Sequence, residues 1–180
     1  MRMESSDETL ALAAVNGDGA AFSALLARHY DRVFALSFRL TGRRAEAEDL
    51  TQDICAALPD KLARFRAEAR FTTWLYRVVV NAAHDRRRRQ SRHARAAEGW
   101  GDWELGRRTA AEDAAEKTDW LTQAMTSLNA DLRDTLALVL DEMTHAEAAE
   151  VLDVSEGTIS WRMSEIRKRL AQMRAAEEQT

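Results

Sequence analysis

The chain has one cysteine and one proline in 180 residues. A lone thiol, Cys55, rules out an internal disulfide framework and a multi-cysteine zinc site. Seven glycines and that single proline give few of the turn signals that all-β folds need. β-branched runs are short while Ala, Leu, Arg and Glu dominate, so helices are expected. No run nears the roughly 18 apolar residues that a bilayer span requires. The opening Met1-Arg2-Met3-Glu4-Ser5-Ser6-Asp7 lacks the apolar centre of a signal peptide, so a cytoplasmic protein is expected. His29, His84, His93 and His145 lack metal-ligand spacing, and His84-Asp85 sits beside an arginine run on one solvated helix. No metal, cofactor or small-molecule substrate is therefore called for, and the chain does not read as an enzyme.

What is present is charge, unevenly spread. The net charge is −4, yet residues 61–95 carry 11 basic and 2 acidic side chains, a local +9. Screening acts over about 8 Å at physiological ionic strength, so the local sign outweighs the total. Such a segment is either a solvated helix or a nucleic-acid surface, and charge alone does not choose. The acidic remainder predicts weak DNA binding by the isolated chain.

Two patterned blocks flank an unpatterned stretch. The first reads as four helices. Ser5, Ser6 or Asp7 caps a short helix that ends near Gly17-Asp18-Gly19. Phe22, Leu25, Leu26, His29, Tyr30, Val33 and Phe34 then mark a buried face that continues to Leu40, with Thr41-Gly42 as its stop. A third helix starts near Ala45 with Leu50, Ile54 and Leu58 inward, Glu48, Asp49, Gln52 and Asp53 outward, and Pro59 breaking or kinking it near Leu58. A fourth begins at Phe71 or Thr72 and runs through Arg86-Arg87-Arg88-Arg89. On it Leu75, Val78, Val79 and Ala82 face inward. Trp74 lies at the border of that face, with Asn81 about 20° away and Arg77 and Arg88 just beyond. An indole beside an amide and guanidinium groups suits unstacked bases held by their phosphates; the alternative is that Trp74 is a core aromatic.

From Ala94 to about Lys117 no apolar stripe persists, and this stretch, with Trp100 and Trp103, reads as a flexible linker. Trp100 and Trp103 either pack locally or dock on a partner. The second block is again helical. Trp120, Leu121, Ala124, Met125 and Leu128 form one stripe, and Leu132, Leu136, Val139, Leu140 and Met143 another. Thr144-His145-Ala146-Glu147 is a capping box that opens a short helix to Leu152. Asp153-Val154 makes a turn, and Ser155 caps a longer helix with Ile159, Met163, Ile166 and Leu170 inward. Short helix, tight turn and capped helix make a helix-turn-helix. Its second helix presents Glu156, Thr158, Ser160, Trp161, Arg162, Ser164, Glu165 and Lys168 outward to varying degrees, followed by the basic Arg167-Lys168-Arg169. A generic helical hairpin is the alternative. The expected fold is thus all-α, with two small helical domains at 8–95 and 118–174 joined by a linker at 96–117.

The segments AEDLTQDICAALPDKLARF (47–65), FTTWLYRVVVNAAHDRRRR (71–89) and THAEAAEVLDVSEGTISWRMSEIRKRL (144–170) together resemble the extracytoplasmic-function (ECF) sigma factors of bacterial RNA polymerase. The resemblance implies a promoter-melting domain (sigma region 2) followed by a helix-turn-helix domain (sigma region 4), acting in promoter recognition and transcription initiation. It implies that Asp49, Gln52 and Asp53 dock on core RNA polymerase. It also implies that Arg66, Phe71, Trp74, Arg77, Asn81, Arg86, Arg87, Arg88 and Arg89 hold the minus-ten DNA. Thr158, Ser160, Arg162, Ser164, Arg167 and Lys168 then contact the minus-thirty-five element, with Arg162 and Lys168 foremost. The implied partners are core polymerase, promoter DNA and an anti-sigma factor. The sequence departs from the family pattern at the Cys55–Pro59 end of the clamp helix. Further departures are Ser160 and Glu165, where arginine is frequent, and Glu142, where glycine is frequent. A sigma-like decoy or a stand-alone helix-turn-helix regulator are the rival readings. A decoy of that kind carries an added receiver domain, and a stand-alone regulator leaves the clamp-like helix unexplained.

Overall fold

A computed structural model describes residues 5–97 and 120–178 of the chain, with the side chains of 95–97 left aside. The linker beyond residue 97, with Trp100 and Trp103, lies outside the described residues. Among those described there are eight helices and no strand: α1 (Asp7–Val15), α2 (Gly19–Thr41), α3 (Arg44–Leu62), α4 (Phe71–Ala97), α5 (Trp120–Ser127), α6 (Ala130–Val139), α7 (His145–Leu152) and α8 (Glu156–Glu177). The all-α expectation holds.

The helix starts follow short polar side chains. Ser6 accepts from the Thr9 amide, Asp18 from Ala20 and Ala21, Asn129 from Leu132, and Ser155 from Thr158. Each satisfies an amide left orphaned in a first turn. The capping box of α7 is complete: Glu147 N–H donates to Thr144 Oγ1 at 3.2 Å, and Thr144 N–H donates to Glu147 Oε2 at 2.9 Å. The Glu147 carboxyl is held below its ordinary range by those Thr144 bonds, with help from Arg70. The start of α4 is capped from a distance, since the Phe71 amide donates to Glu8 Oε1 of α1 at 3.1 Å.

Pro59 does not end its helix. Helix α3 runs through it to Leu62. Pro59 lies on the exposed side, where the carbonyl that loses a donor can turn to water, and its fixed φ is helical. Glu142, where the family pattern favours glycine, does adopt the left-handed region at φ +64°.

In the first half, α2 packs along α3 and receives α1 and α4. Leu25, Leu36, Leu40, Leu50, Ile54, Leu62, Phe71, Leu75 and Val79 fill that core. In the second, α6, α7 and α8 close around Leu138, Ile159 and Ile166. The halves do not stand apart. Helix α7 lies on α4, and α5 and α6 lie on α2, so the buried apolar residues of both halves form one contiguous cluster.

Gly42 shows how closely they approach. It ends α2 at φ +76°, and a Cβ there would sit 2.5 Å from Cγ2 of Thr126 in α5. Thr126 cannot rotate away freely, because its hydroxyl donates to the Gln123 carbonyl at 2.8 Å. Gly42→Ala is expected to lower stability by about 1–2 kcal/mol from the left-handed strain, plus the displacement of α5. Urea denaturation checks this, and an unchanged midpoint would show that α5 does not press on α2.

Candidate nucleic-acid interface

Helix α4 is positioned by an aromatic cluster at its first turn. Phe71 is 0% exposed. Its ring lies 5.2 Å from His29, 5.6 Å from Phe65 and 5.6 Å from Trp74. Trp74 also meets Phe65 at 5.3 Å. The expectation that Phe71 meets DNA is therefore corrected: its ring is a core wedge that fixes where α4 begins. Trp74 is half-buried. One part of the indole joins the cluster and the rest meets solvent. Arg66 is exposed in the loop that precedes α4. Beside it Ala67 adopts φ +55°, a left-handed turn that brings the chain into the helix.

One side of α4 forms a groove with α3. Asn81 is exposed on it and lines the groove with Asp53, Ile54, Ala57, Lys61 and Arg89. Arg86 points into the same region and bridges two carboxylates of α3, Asp49 Oδ2 at 3.2 Å and Asp53 Oδ2 at 3.7 Å. The expected polymerase-docking acids and one expected DNA arginine are thus in direct contact. Asp49, Gln52 and Asp53 all remain exposed on α3. Arg88 and Arg89 are exposed, and Arg88 has only a long contact to Asp85 at 3.6 Å.

The other side of α4 is covered by the second half. Asp134 of α6, 2% exposed, receives Arg87 Nη2 at 3.1 Å and lies 2.5 Å from His84 Nε2. Arg77 donates to the Glu150 carbonyl of α7 at 2.5 Å. Arg70 pairs with Glu147 at 3.2 Å. Asp141 takes Arg39 of α2 at 2.8 Å and the Tyr76 hydroxyl. Burial, then that bond to Asp141, push the Tyr76 phenol well above its ordinary range. Of the arginines expected on DNA, Arg77 and Arg87 are thus engaged by the second half, as Arg86 is by α3.

None of these cross-contacts was anticipated from the sequence. Asp134 lies off the Leu132, Leu136 and Val139 stripe, so helical period marked it as solvated and gave no sign that a buried acid would need partners.

On α8, Ile159, Met163 and Ile166 face the core. Ser160, Ser164, Arg167 and Lys168 are exposed, and Thr158 is half-buried with its hydroxyl 2.8 Å from that of Ser155. Ser160 Oγ lies 3.1 Å from His145 Nδ1, which ties α8 to the start of α7. Arg162 does not project. Its side chain is 13% exposed, with Nη2 3.2 Å from Asp131 and Nη1 3.4 Å from the Thr135 hydroxyl. Trp161 projects instead, 65% exposed. Glu165 is tied to Arg169 at 2.8 Å, which holds its carboxyl below the ordinary range.

Comparison with known proteins agrees over both halves. Residues 25–93 match the Sigma-70 region 2 family and residues 118–170 match Sigma-70 region 4. The ECF RNA polymerase sigma factor SigM of Mycobacterium tuberculosis is 34% identical over 174 residues, 96% of this chain and 86% of SigM. SigW of Bacillus subtilis, also named an ECF RNA polymerase sigma factor, is 28% identical over 166 residues, 86% of this chain and 89% of SigW. Among solved structures, CnrH in complex with the cytosolic domain of CnrY superposes with a TM-score of 0.69 at 24% identity, covering 96% of this chain and 99% of CnrH. RpoE in complex with the anti-sigma factor NepR, from Bartonella quintana, gives 0.68 at 22% identity over 84% and 94% of the two chains. These two likenesses bear on the fold.

Removing the Asp134 carboxylate should loosen the two halves. Asp134→Ala is expected to cost about 1–3 kcal/mol, the range for a buried pair discounted because its partners are partly solvated. Chemical denaturation measures it, and an unaltered midpoint would mean that the Arg87 and His84 contacts do not hold the halves together.

Proposed function

The chain belongs to the ECF sigma factors of bacterial RNA polymerase, and we propose that its two halves divide promoter recognition as follows. The first half, residues 8–95, binds core polymerase and holds the melted minus-ten element. The second, residues 118–174, reads the minus-thirty-five element, and residues 96–117 link them. The role is that of an initiation factor, not an enzyme, and its place is the cytoplasm. Among the described residues no helix is long and apolar enough to cross a membrane.

The observation that carries this division is the two-sided α4. Its α3 side exposes Asn81 beside Arg89, a donor-acceptor amide among cations at the mouth of a groove. Such a side suits a base taken out of the stack, whose unpaired edge needs hydrogen bonds and whose phosphates need positive charge. Arg66, Arg88 and Arg89 hold phosphates. Trp74 offers the solvent-facing part of its ring for stacking, and Phe71 supports it from beneath. Arg77 and Arg87 join this surface only when α6 and α7 leave it. Binding to core polymerase supplies that separation by holding the halves apart, after which two weak DNA contacts act as one.

Core docking is assigned to Asp49, Gln52 and Asp53, an acidic and polar face suited to a basic partner surface. Arg86 orders these carboxylates from α4. On α8, Ser160, Ser164, Arg167 and Lys168 face the minus-thirty-five duplex, with Thr158 near the helix start. Arg162 acts in the same region through its link to Asp131. Control by an anti-sigma factor that clasps both halves is the regulatory partner the family implies.

Two substitutions separate the roles. Asp49→Arg with Asp53→Arg should reduce capture by purified core polymerase about tenfold or more, as expected when two rim charges are reversed. Undiminished capture rejects the docking face. Asn81→Ala should leave capture intact and lower open-complex yield, read by permanganate reactivity of unpaired thymines. Equal yield in the variant and the parent would remove Asn81 from the melting surface.

A further inference from the structure

The helix expected to read duplex DNA carries an unusual residue on its outermost line. At about 100° per residue, the direction opposite the buried Ile159, Met163 and Ile166 falls on Trp161. Gly157 lies one turn before it on the same side, and Ser164 and Lys168 one and two turns after. Trp161 is the most exposed of the large hydrophobic side chains among the described residues. Its neighbours along that line near the helix start are a glycine, with only the Ser155 hydroxyl near a Cβ built on it, and a serine. They leave the indole clear on both sides. With Trp161 65% exposed, most of an indole that combines a broad apolar face with one N–H donor is open to a partner.

The groups around it narrow the partner. Arg167 and Lys168 are exposed on the same helix, as a phosphate-lined groove requires. Arg162, one residue on, is committed to Asp131 and Thr135, and Glu165 to Arg169. The position at the centre of the groove-facing line is therefore held by a ring with an apolar face and one N–H donor. It is not held by a guanidinium or amide that could make a bidentate base contact. The one apolar group in the major groove is the C5-methyl of thymine.

We propose that Trp161 is a specificity-determining residue, whose indole covers a thymine methyl in the upstream promoter element. The inference rests on the reading that α8 enters the major groove of that element. It gives this chain a preference decided by methyl contact at one step, with Lys168 and Arg167 holding the flanking phosphates.

The test uses holoenzyme made from purified core polymerase and the full chain. A duplex library randomised over the upstream element first identifies the preferred sequence by run-off transcription. Each thymine in it is then replaced by deoxyuridine, which removes only the methyl group. At one or two positions the parent should lose about three- to tenfold in transcript yield, the scale of a single weak mismatch. Trp161→Ser should transcribe the thymine and uracil templates equally, and Trp161→Phe should keep most of the difference. The proposal is overturned if uracil is neutral at every position, if Trp161→Ser keeps the parent's penalty, or if Trp161→Ser loses core capture instead of methyl discrimination. Should the holoenzyme initiate with no preference for any upstream sequence, the assignment of α8 to the major groove fails, and this proposal with it. A sequence preference without methyl dependence sinks the Trp161 proposal alone.

Discussion

The carboxylate of Asp134 sits at 2% exposure between two halves of one chain, and it must be met by positive or donating groups or the halves part. Arg87 and His84, one turn apart on α4, meet it. That junction sets the rest of the arrangement. It places α6 against the middle of α4, which brings α7 alongside and puts Glu150 and Glu147 next to Arg77 and Arg70. Asp141, after α6, then reaches Arg39 and Tyr76. Apolar burial gives these contacts their reach, since one buried cluster runs through both halves. The polar pairs fix the register, because turning α6 away from Arg87 and His84 breaks their contacts with Asp134 and lifts its apolar neighbours out of the core.

The same junction explains how an acidic chain can carry a strongly basic helix. Residues 61–95 hold a local +9 within a total of −4. Part of the compensating negative charge is not diffuse. Asp134 and Glu147 lie directly on the arginines of α4 and of the loop before it, and on the other flank Asp49 and Asp53 take Arg86. Internal carboxylates thus neutralise part of this helix at contact distance, and any polyanion that met Arg77 or Arg87 on the covered side would have to displace α6 and α7 first.

Local features were legible in the sequence because they depend on neighbours within four residues. The Ser155 cap, the Thr144–Glu147 box, the Gly42 stop and a first-helix cap among Ser5, Ser6 and Asp7 all follow from side-chain chemistry at fixed offsets, whereas the Asp18 cap of α2 went unread. The inward stripes follow from the helical period. The break expected at Pro59 is absent because an exposed proline leaves its lost acceptor to solvent. Phe71 was misread because periodicity places it at the start of a helix and says nothing of the His29 and Phe65 rings that enclose it. The pairing of Asp134 with Arg87 spans 47 residues, and that of Arg39 with Asp141 spans 102. No local pattern encodes such distances.

Arg162 and Trp161 show the same limit at the scale of one turn. The sequence places both on the outer half of α8, and charge favours Arg162 as the DNA contact. In the fold Asp131 and the Thr135 hydroxyl lie beside the lower edge of that helix, and a guanidinium reaches them with little strain. An indole has no such tether. The helical phase of α8 sets Trp161 outward, and α6, an element outside the helix-turn-helix itself, holds Arg162 back. Asp134 and Thr135 of α6 are buried and Asp131 is exposed at its edge; Asp134 engages Arg87 of α4, while Asp131 and Thr135 both engage Arg162 of α8. Helix α6 is thus the common support of both surfaces. It anchors α4 through Asp134 and holds Arg162 of α8 through Asp131 and Thr135. The two grips use different side chains of one helix, Asp134 toward α4 and Asp131 with Thr135 toward α8, so neither shares a partner with the other.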